Sequence, residues 1–194
     1  MIEKIIIAGA GGQGILLLGQ VLAEAAMRED KHVTWIPSYG AEVRGGTAHC
    51  MVIISNAEIS SPYIDKADTL IMMNSPSLER FKGRIGSRGL ILINSSLVDN
   101  NILTQMNLSS KPRLHSGESV KICSFPFTDM AIKLGNIRVA NMAALGCYLG
   151  QKKIIKPKTV VKAMREIAPE DKRELIGINK KAIILGMELI NGGR

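Results

Sequence analysis

The feature that most constrains this chain is a junction near its start. Lys4-Ile5-Ile6-Ile7-Ala8 is a short β-branched run, and it passes without a break into Gly9-Ala10-Gly11-Gly12-Gln13-Gly14. Residues 14–27 follow, apolar almost all round. A β-branched run of that length reads as a buried strand, and the segment after the glycines reads as a helix covered on more than one side. A strand that turns sharply into a helix is the opening of an α/β sheet.

Further apolar runs at 32–36, 49–55, 69–73, 89–93 and 120–125 predict more strands, several of them separated by helical stretches. After Phe125-Pro126-Phe127 the pattern becomes helical: 128–134, 139–150, 158–167 and a last helix over 170–190. In that last segment Leu175, Ile178, Ala182, Leu185 and Leu189 recur at alternating spacings of three and four, an apolar stripe for packing. The polar stretch 99–119, broken by Pro112 and Gly117, is expected to be a flexible excursion. The predicted fold is therefore α/β and Rossmann-like: a mostly parallel sheet with helices on both faces and a helical C-terminal part. One domain over 1–194 is expected, with an α/β body over about 1–126 and a helical part over about 127–194.

Gly9, Gly11, Gly12, Gln13 and Gly14 fit the GxGxxG pattern in the strand–loop–helix context where it has a mechanism. Glycines permit positive φ and let backbone amides approach a ligand, while the helix N-terminus favours an anion. The dinucleotide-binding version of this loop also requires an acidic residue about 20 positions on, at the end of the second strand. That strand ends Ile36-Pro37-Ser38 with no carboxylate, and Asp30 lies at its other end. A bound NAD or FAD is disfavoured. A tight turn packing helix on sheet, an anion site and a contact with a partner chain all remain open.

The second cluster is Ser38, Tyr39, Gly40, Ala41, Glu42, Val43, Arg44, Gly45, Gly46 and Thr47. Following the second strand of a parallel sheet, it should emerge at the same carboxyl edge as the first loop, where open α/β sheets bind ligands. Glu42 and Arg44 carry opposite charges, the paired glycines allow a close backbone approach, and Tyr39 has little room to bury itself. A third candidate group, Asn136, Arg138 and Asn141, lies at a helix entrance, where Asn136 is placed to cap.

These motifs in this order resemble the gamma subunit of 2-oxoacid:ferredoxin oxidoreductases. The resemblance rests on GxGGQGxxxxG, on SYGxExRGGTA beginning at Ser38, on Ile59-Ser60-Ser61-Pro62, and on the run from Leu134 to Met142. The form of the second loop is most like the 2-oxoglutarate branch. The resemblance implies an enzyme that oxidatively decarboxylates a 2-oxoacid to an acyl-CoA and CO₂ and passes electrons to ferredoxin or a flavodoxin-like acceptor. It further implies that thiamine diphosphate, Mg²⁺ and [4Fe–4S] clusters reside in alpha, beta and, in some complexes, delta subunits. Coenzyme A is the acyl acceptor. On this reading the chain carries no catalytic residue, binds none of those cofactors alone, supports assembly and is inactive by itself. The two glycine loops, with Arg44, would border the active-site region.

The rest of the sequence is compatible with that expectation. Cys50, Cys123 and Cys147 stand far apart with no CxxC, so neither a cluster nor a structural zinc is expected. The same usage points to the reducing cytoplasm. His32, His49 and His115 have no ligand spacing. No apolar run approaches the length of a membrane span. Net charge is +8, with 11 Lys/Arg against 5 Asp/Glu over residues 150–194. Few aromatics, no nucleic-acid motif and the interleaved Glu170, Asp171 and Glu174 argue against nucleic acid and for contact with acidic proteins. The rival reading is a stand-alone nucleotide-binding oxidoreductase using the first glycine loop.

Overall fold

A computed structural model describes residues 1–38, 47–105, 113–116 and 120–191. Strands β1 (Ile2–Ala10), β2 (His32–Ser38), β3 (Thr47–Ser55), β4 (Ala67–Met72), β5 (Ile85–Asn94), β6 (Arg113–Ser116) and β7 (Lys121–Phe125) form one sheet in the order β2-β3-β1-β4-β5-β7-β6. The centre, β1-β4-β5-β7, is parallel, whereas β3 and β6 run against their neighbours. β2 is antiparallel to β3, which is antiparallel to β1, so five of the seven strands point the same way.

Alternation along the strands divides two apolar layers. Ile5 and Ile7 of β1, with Val52 and Ile54 of β3, face one side, while Ile6 and Ala8, with Met51 and Ile53, face the other. The first side is covered by helices α1 (Ile15–Met27), α4 (Phe127–Lys133) and α5 (Ala140–Lys152), the second by α2 (Ser75–Phe81) and α3 (Asn100–Gln105). Leu18 and Leu22 of α1 are fully buried, each worth about 2 kcal/mol relative to exposure. The nearly all-round apolar character of α1 has a direct cause. The helix is held between the sheet and α6 (Pro157–Ile167), so only narrow strips reach water. Arg28, just past α1, pairs with Glu24 and with Glu166 of α6.

Helix α7 (Ile176–Asn191) packs along α5 at close range. A Cβ at Gly146 would collide with the Ile183 carbonyl, and one at Gly186 with the Ala143 carbonyl. Two glycines, one on each helix, therefore bring the backbones into contact. At the amino edge of the sheet, Glu3 is buried and accepts from Thr69 Oγ1 at 2.6 Å, and its carboxylate lies 3.0 Å from Lys152 Nζ. Burial pushes the Glu3 carboxyl up despite these partners.

One sequence expectation is corrected. The last helix does not run unbroken from 170: Glu170–Leu175 is a 3₁₀ segment, and α7 begins at Ile176. No residue of Glu170–Leu175 is buried, so packing does not hold that charged stretch in the α form. The polar stretch 99–119 contains α3 and the edge strand β6, which pairs with β7 from Arg113↔Ser124 to Ser116↔Lys121. No described helix is long and apolar enough to cross a membrane.

Candidate functional site

The glycine loop joins β1 to α1 at the carboxyl edge of the sheet. Gly12 and Gly14 have φ of +86° and +70°, the left-handed region that favours glycine. Gln13 holds the turn from both sides. Its Oε1 accepts from Ala10 N at 2.6 Å, its Nε2 reaches the Met73 carbonyl at 3.4 Å, and its own amide donates to Ala10 O at 3.2 Å. A Cβ on Gly9 would stand 2.5 Å from that Oε1, so Gly9 is also fixed by space.

Asn141, buried near the start of α5, completes the turn. Its Nδ2 donates to the Gly14 carbonyl at 3.0 Å, and its Oδ1 accepts from Met142 N at 2.8 Å. The same carbonyl accepts from Leu18 N at 3.0 Å, so Gly14 O carries both the first helical bond and the link to α5. Asn136 Oδ1 accepts from Arg138 N at 3.0 Å and caps the 3₁₀ turn Ile137–Val139 that leads into α5. The capping role expected of Asn136 is thus observed, and Arg138 is left exposed on that turn.

Between these elements lies a crevice of about 150 Å³ lined by Gly12, Gln13, Met73, Thr128, Arg138 and Ala140. It opens where β1 sends the chain towards β2 while β4 lies on its opposite side, the strand-order reversal at which open α/β sheets hold ligands. No side chain caps α1, so the positive end of its dipole meets the same edge. Asn94, fully buried at the end of β5, supports the wall. Its Nδ2 donates to Thr128 Oγ1 at 2.8 Å and to Met73 O at 3.3 Å, and its Oδ1 accepts from Thr128 N at 3.2 Å. Sequence reasoning passed over Asn94 and Thr128. The available signal was an amide ending the apolar run Leu90–Ile93, where another aliphatic would have been expected.

Tyr39, Gly40, Glu42, Arg44, Gly45 and Gly46 lie outside the described residues. Their anchors are described. Ser38 pairs with His49 and Ala10 pairs with Thr47, so the 39–46 connection leaves and re-enters the sheet at the edge that carries the glycine loop. The connection joins an antiparallel pair, because β3 is inserted between β2 and β1. That insertion also bears on dinucleotide binding. The end of β2 lies two strand spacings, about 10 Å, from the end of β1, instead of next to it where a ribose would be held. No acidic residue stands in β2 in any case.

His49 sits at this edge, buried, with its ring 5.0 Å from Phe81. Burial chiefly, then Arg80 and Arg84, lower its pKa from 6.5. A base depressed in the folded state contributes stability that is full above its unfolded pKa and is lost as pH falls through the folded value. Urea midpoints are expected to drop as pH falls below about 6.5, and His49→Gln is expected to remove part of that slope.

The cysteines do not fit an iron–sulfur cluster. All three are buried, in β3, β7 and α5, and burial pushes Cys50 up to about 12 and Cys123 up to about 11, away from the thiolate that a cluster needs. Among the described residues no three His, Cys, Asp or Glu side chains are grouped to hold a metal ion.

Residues 4–189 match the family described as pyruvate ferredoxin/flavodoxin oxidoreductase. The chain belongs to that family. The 2-oxoglutarate synthase subunit KorC of Methanothermobacter thermautotrophicus is 30% identical over 193 residues, covering 98% of this chain and 96% of KorC. The ketoisovalerate oxidoreductase subunit VorA of the same organism is 38% identical over 146 residues, which are 75% of this chain. The chain spans only 28% of the length of VorA. The gamma subunit of the keto/oxoacid ferredoxin oxidoreductase of Geobacter sulfurreducens superposes with a TM-score of 0.77 at 26% identity, covering 100% of this chain and 98% of that one. The mostly parallel α/β fold with its helical C-terminal part is that of this gamma subunit.

Proposed function

We propose that the chain is the gamma-type subunit of a multi-subunit 2-oxoacid oxidoreductase acting on 2-oxoglutarate. In the assembled enzyme a 2-oxoacid is oxidatively decarboxylated to an acyl-CoA and CO₂, with a ferredoxin- or flavodoxin-like protein taking the electrons. Alpha, beta and, where present, delta subunits hold thiamine diphosphate, Mg²⁺ and the [4Fe–4S] clusters, and the complex works in the cytoplasm. This chain acts as one domain that completes the assembly. The observation that carries this reading is the match to KorC over nearly the full length of both chains. Buried, protonated thiols agree with clusters held elsewhere.

The second role is at the edge of the active site. The glycine loop turns backbone and a helix N-terminus towards the same edge as Arg138 and the anchors Ser38 and Thr47. Arg44, on the connection between those anchors, is the guanidinium we assign to coenzyme A or to the neighbouring subunit. In the complete complex, Arg44→Ala is expected to raise KM for coenzyme A about tenfold, the loss of one charge-assisted contact, or to weaken assembly. An intact complex with unchanged KM would remove Arg44 from the site.

A branched-chain 2-oxoacid is the second substrate reading, favoured by the 38% identity to VorA. Initial rates of the complex with 2-oxoglutarate and with 2-oxoisovalerate distinguish the two.

A further inference from the structure

Helices α6 and α7 barely touch each other, because α6 lies on α1 and α7 on α5. The space between them is an open groove of about 510 Å³. Its floor is apolar: Val161 from α6, and Ile183, Ile184 and Met187 from α7. Ile184 is 45% exposed, a large aliphatic kept in water in the middle of a helix that buries its other face on α5. The charged residues that line it are all cations. Lys158, Lys162 and Arg165 run along one wall at spacings of four and three, and Lys180 stands on the other. None of these four forms an ion pair among the described residues, although Arg28, Lys152 and Arg173 do.

We infer that this groove docks an acidic amphipathic helix of a partner protein, seating aliphatic side chains on Ile184 and Met187 and placing Asp or Glu side chains against the lysines. An apolar floor between two cationic walls is complementary to a helix with a narrow apolar stripe flanked by carboxylates. Nucleic acid is the poorer occupant. Phosphates need no apolar floor, and the groove offers no aromatic ring for a base to stack on. A membrane is poorer as well, because an inserting apolar face should stand clear of its surroundings, and these side chains form the floor between two cationic walls. The inference rests on this surface alone and stands or falls separately from the 2-oxoacid reading.

The test uses the full chain and a fluorescein-labelled helical peptide of about 14 residues, with Leu at spacings of three and four and Glu on both flanks of the stripe. Anisotropy is expected to show saturable binding that weakens as salt is raised. A scrambled peptide of the same composition, lacking the stripe, should bind about tenfold more weakly. Ile184→Ser, at an exposed position, and the pair Lys162→Glu with Lys180→Glu should each weaken binding by about tenfold while leaving the unfolding midpoint in place. Equal binding of both peptides, or equal binding after Ile184→Ser, would reduce the groove to a generic polyanion surface and overturn the inference. Duplex DNA or phosphatidylglycerol vesicles that bind more tightly than the striped peptide, and lose that binding on Ile184→Ser, would also overturn it. So would a self-association of the chain, seen by sedimentation, that Ile184→Ser abolishes, since the occupant would then be a second copy.

Discussion

Alanine at Gly186 or at Gly146 is expected to cost about 3 kcal/mol of stability, which for a chain of this size lowers Tm by roughly 6–12 °C. Each new methyl would stand 2.0 Å from a carbonyl oxygen on the opposing helix, Ala143 for Gly186 and Ile183 for Gly146. Backbone cannot rotate away as a side chain can, so the α5–α7 pair must separate. Separation opens the layer containing Ala143, Cys147, Ala182 and Ile183, all essentially unexposed in the native fold. The same substitution elsewhere in α7 should have the opposite sign. A Cβ at Gly177 meets nothing within 4 Å, so Gly177→Ala is expected to stabilise by about 0.5 kcal/mol through helix propensity alone. Thermal unfolding of the three variants measures both signs in one series, and destabilisation by Gly177→Ala as large as by Gly186→Ala would contradict the backbone-contact account.

Gly14→Ala is the second large effect. The residue has φ +70°, and a Cβ there would strike the Asn141 amide. The left-handed backbone costs about 1 kcal/mol, and displacing a buried Asn from its acceptor adds about 1–3 kcal/mol. A total of about 2–4 kcal/mol is therefore expected for Gly14→Ala. Once Asn141→Ala has removed the obstructing amide, the same glycine change should cost only the backbone part, about 1 kcal/mol. Urea unfolding of the single and double variants closes the cycle, and strict additivity would mean that the two residues do not act on each other. Because Gly14 and Asn141 lock the glycine loop to α5, this pair sets the spacing between the loop and Arg138 across the crevice.

Much of this arrangement was legible in the sequence, for reasons that differ by element. The β1–loop–α1 unit was readable because its constraints are local: a β-branched strand, glycines at the turn and a helix with hardly a polar face. The entrance to α5 was readable from Asn136, whose capping is also local. Strand direction was not. The run at 49–55 announces a buried strand, but periodicity carries no sense of direction, and β3 lies antiparallel between β2 and β1. β6 was hidden for another reason, since an edge strand of four residues in a polar segment gains its order from β7 and shows no pattern of its own. Gly146 and Gly186 sit 40 positions apart in helices where glycine by itself signals only a propensity cost. Their meaning appears when the two helices are placed side by side. The Asn94–Thr128 link is likewise a tertiary contact, 34 positions apart, that no window reveals.

The C-terminal charge takes a sharper form in the structure. Sequence alone placed an excess of cations in the last quarter of the chain. In the fold, four of them border one apolar groove, while Lys152 is committed to an internal pair with Glu3 that ties α5 to β1.

Purification of the chain from its native cell with its partners attached tests whether it is a gamma-type subunit, through identification of the co-purifying subunits and assay of the assembly with 2-oxoglutarate, coenzyme A and a low-potential acceptor. The expected result is a complex containing a thiamine-diphosphate-binding chain and a cysteine-rich cluster chain, active as a whole, with the separated gamma-type subunit inactive. Recovery of the chain alone, or 2-oxoacid oxidation by the isolated chain, would contradict it.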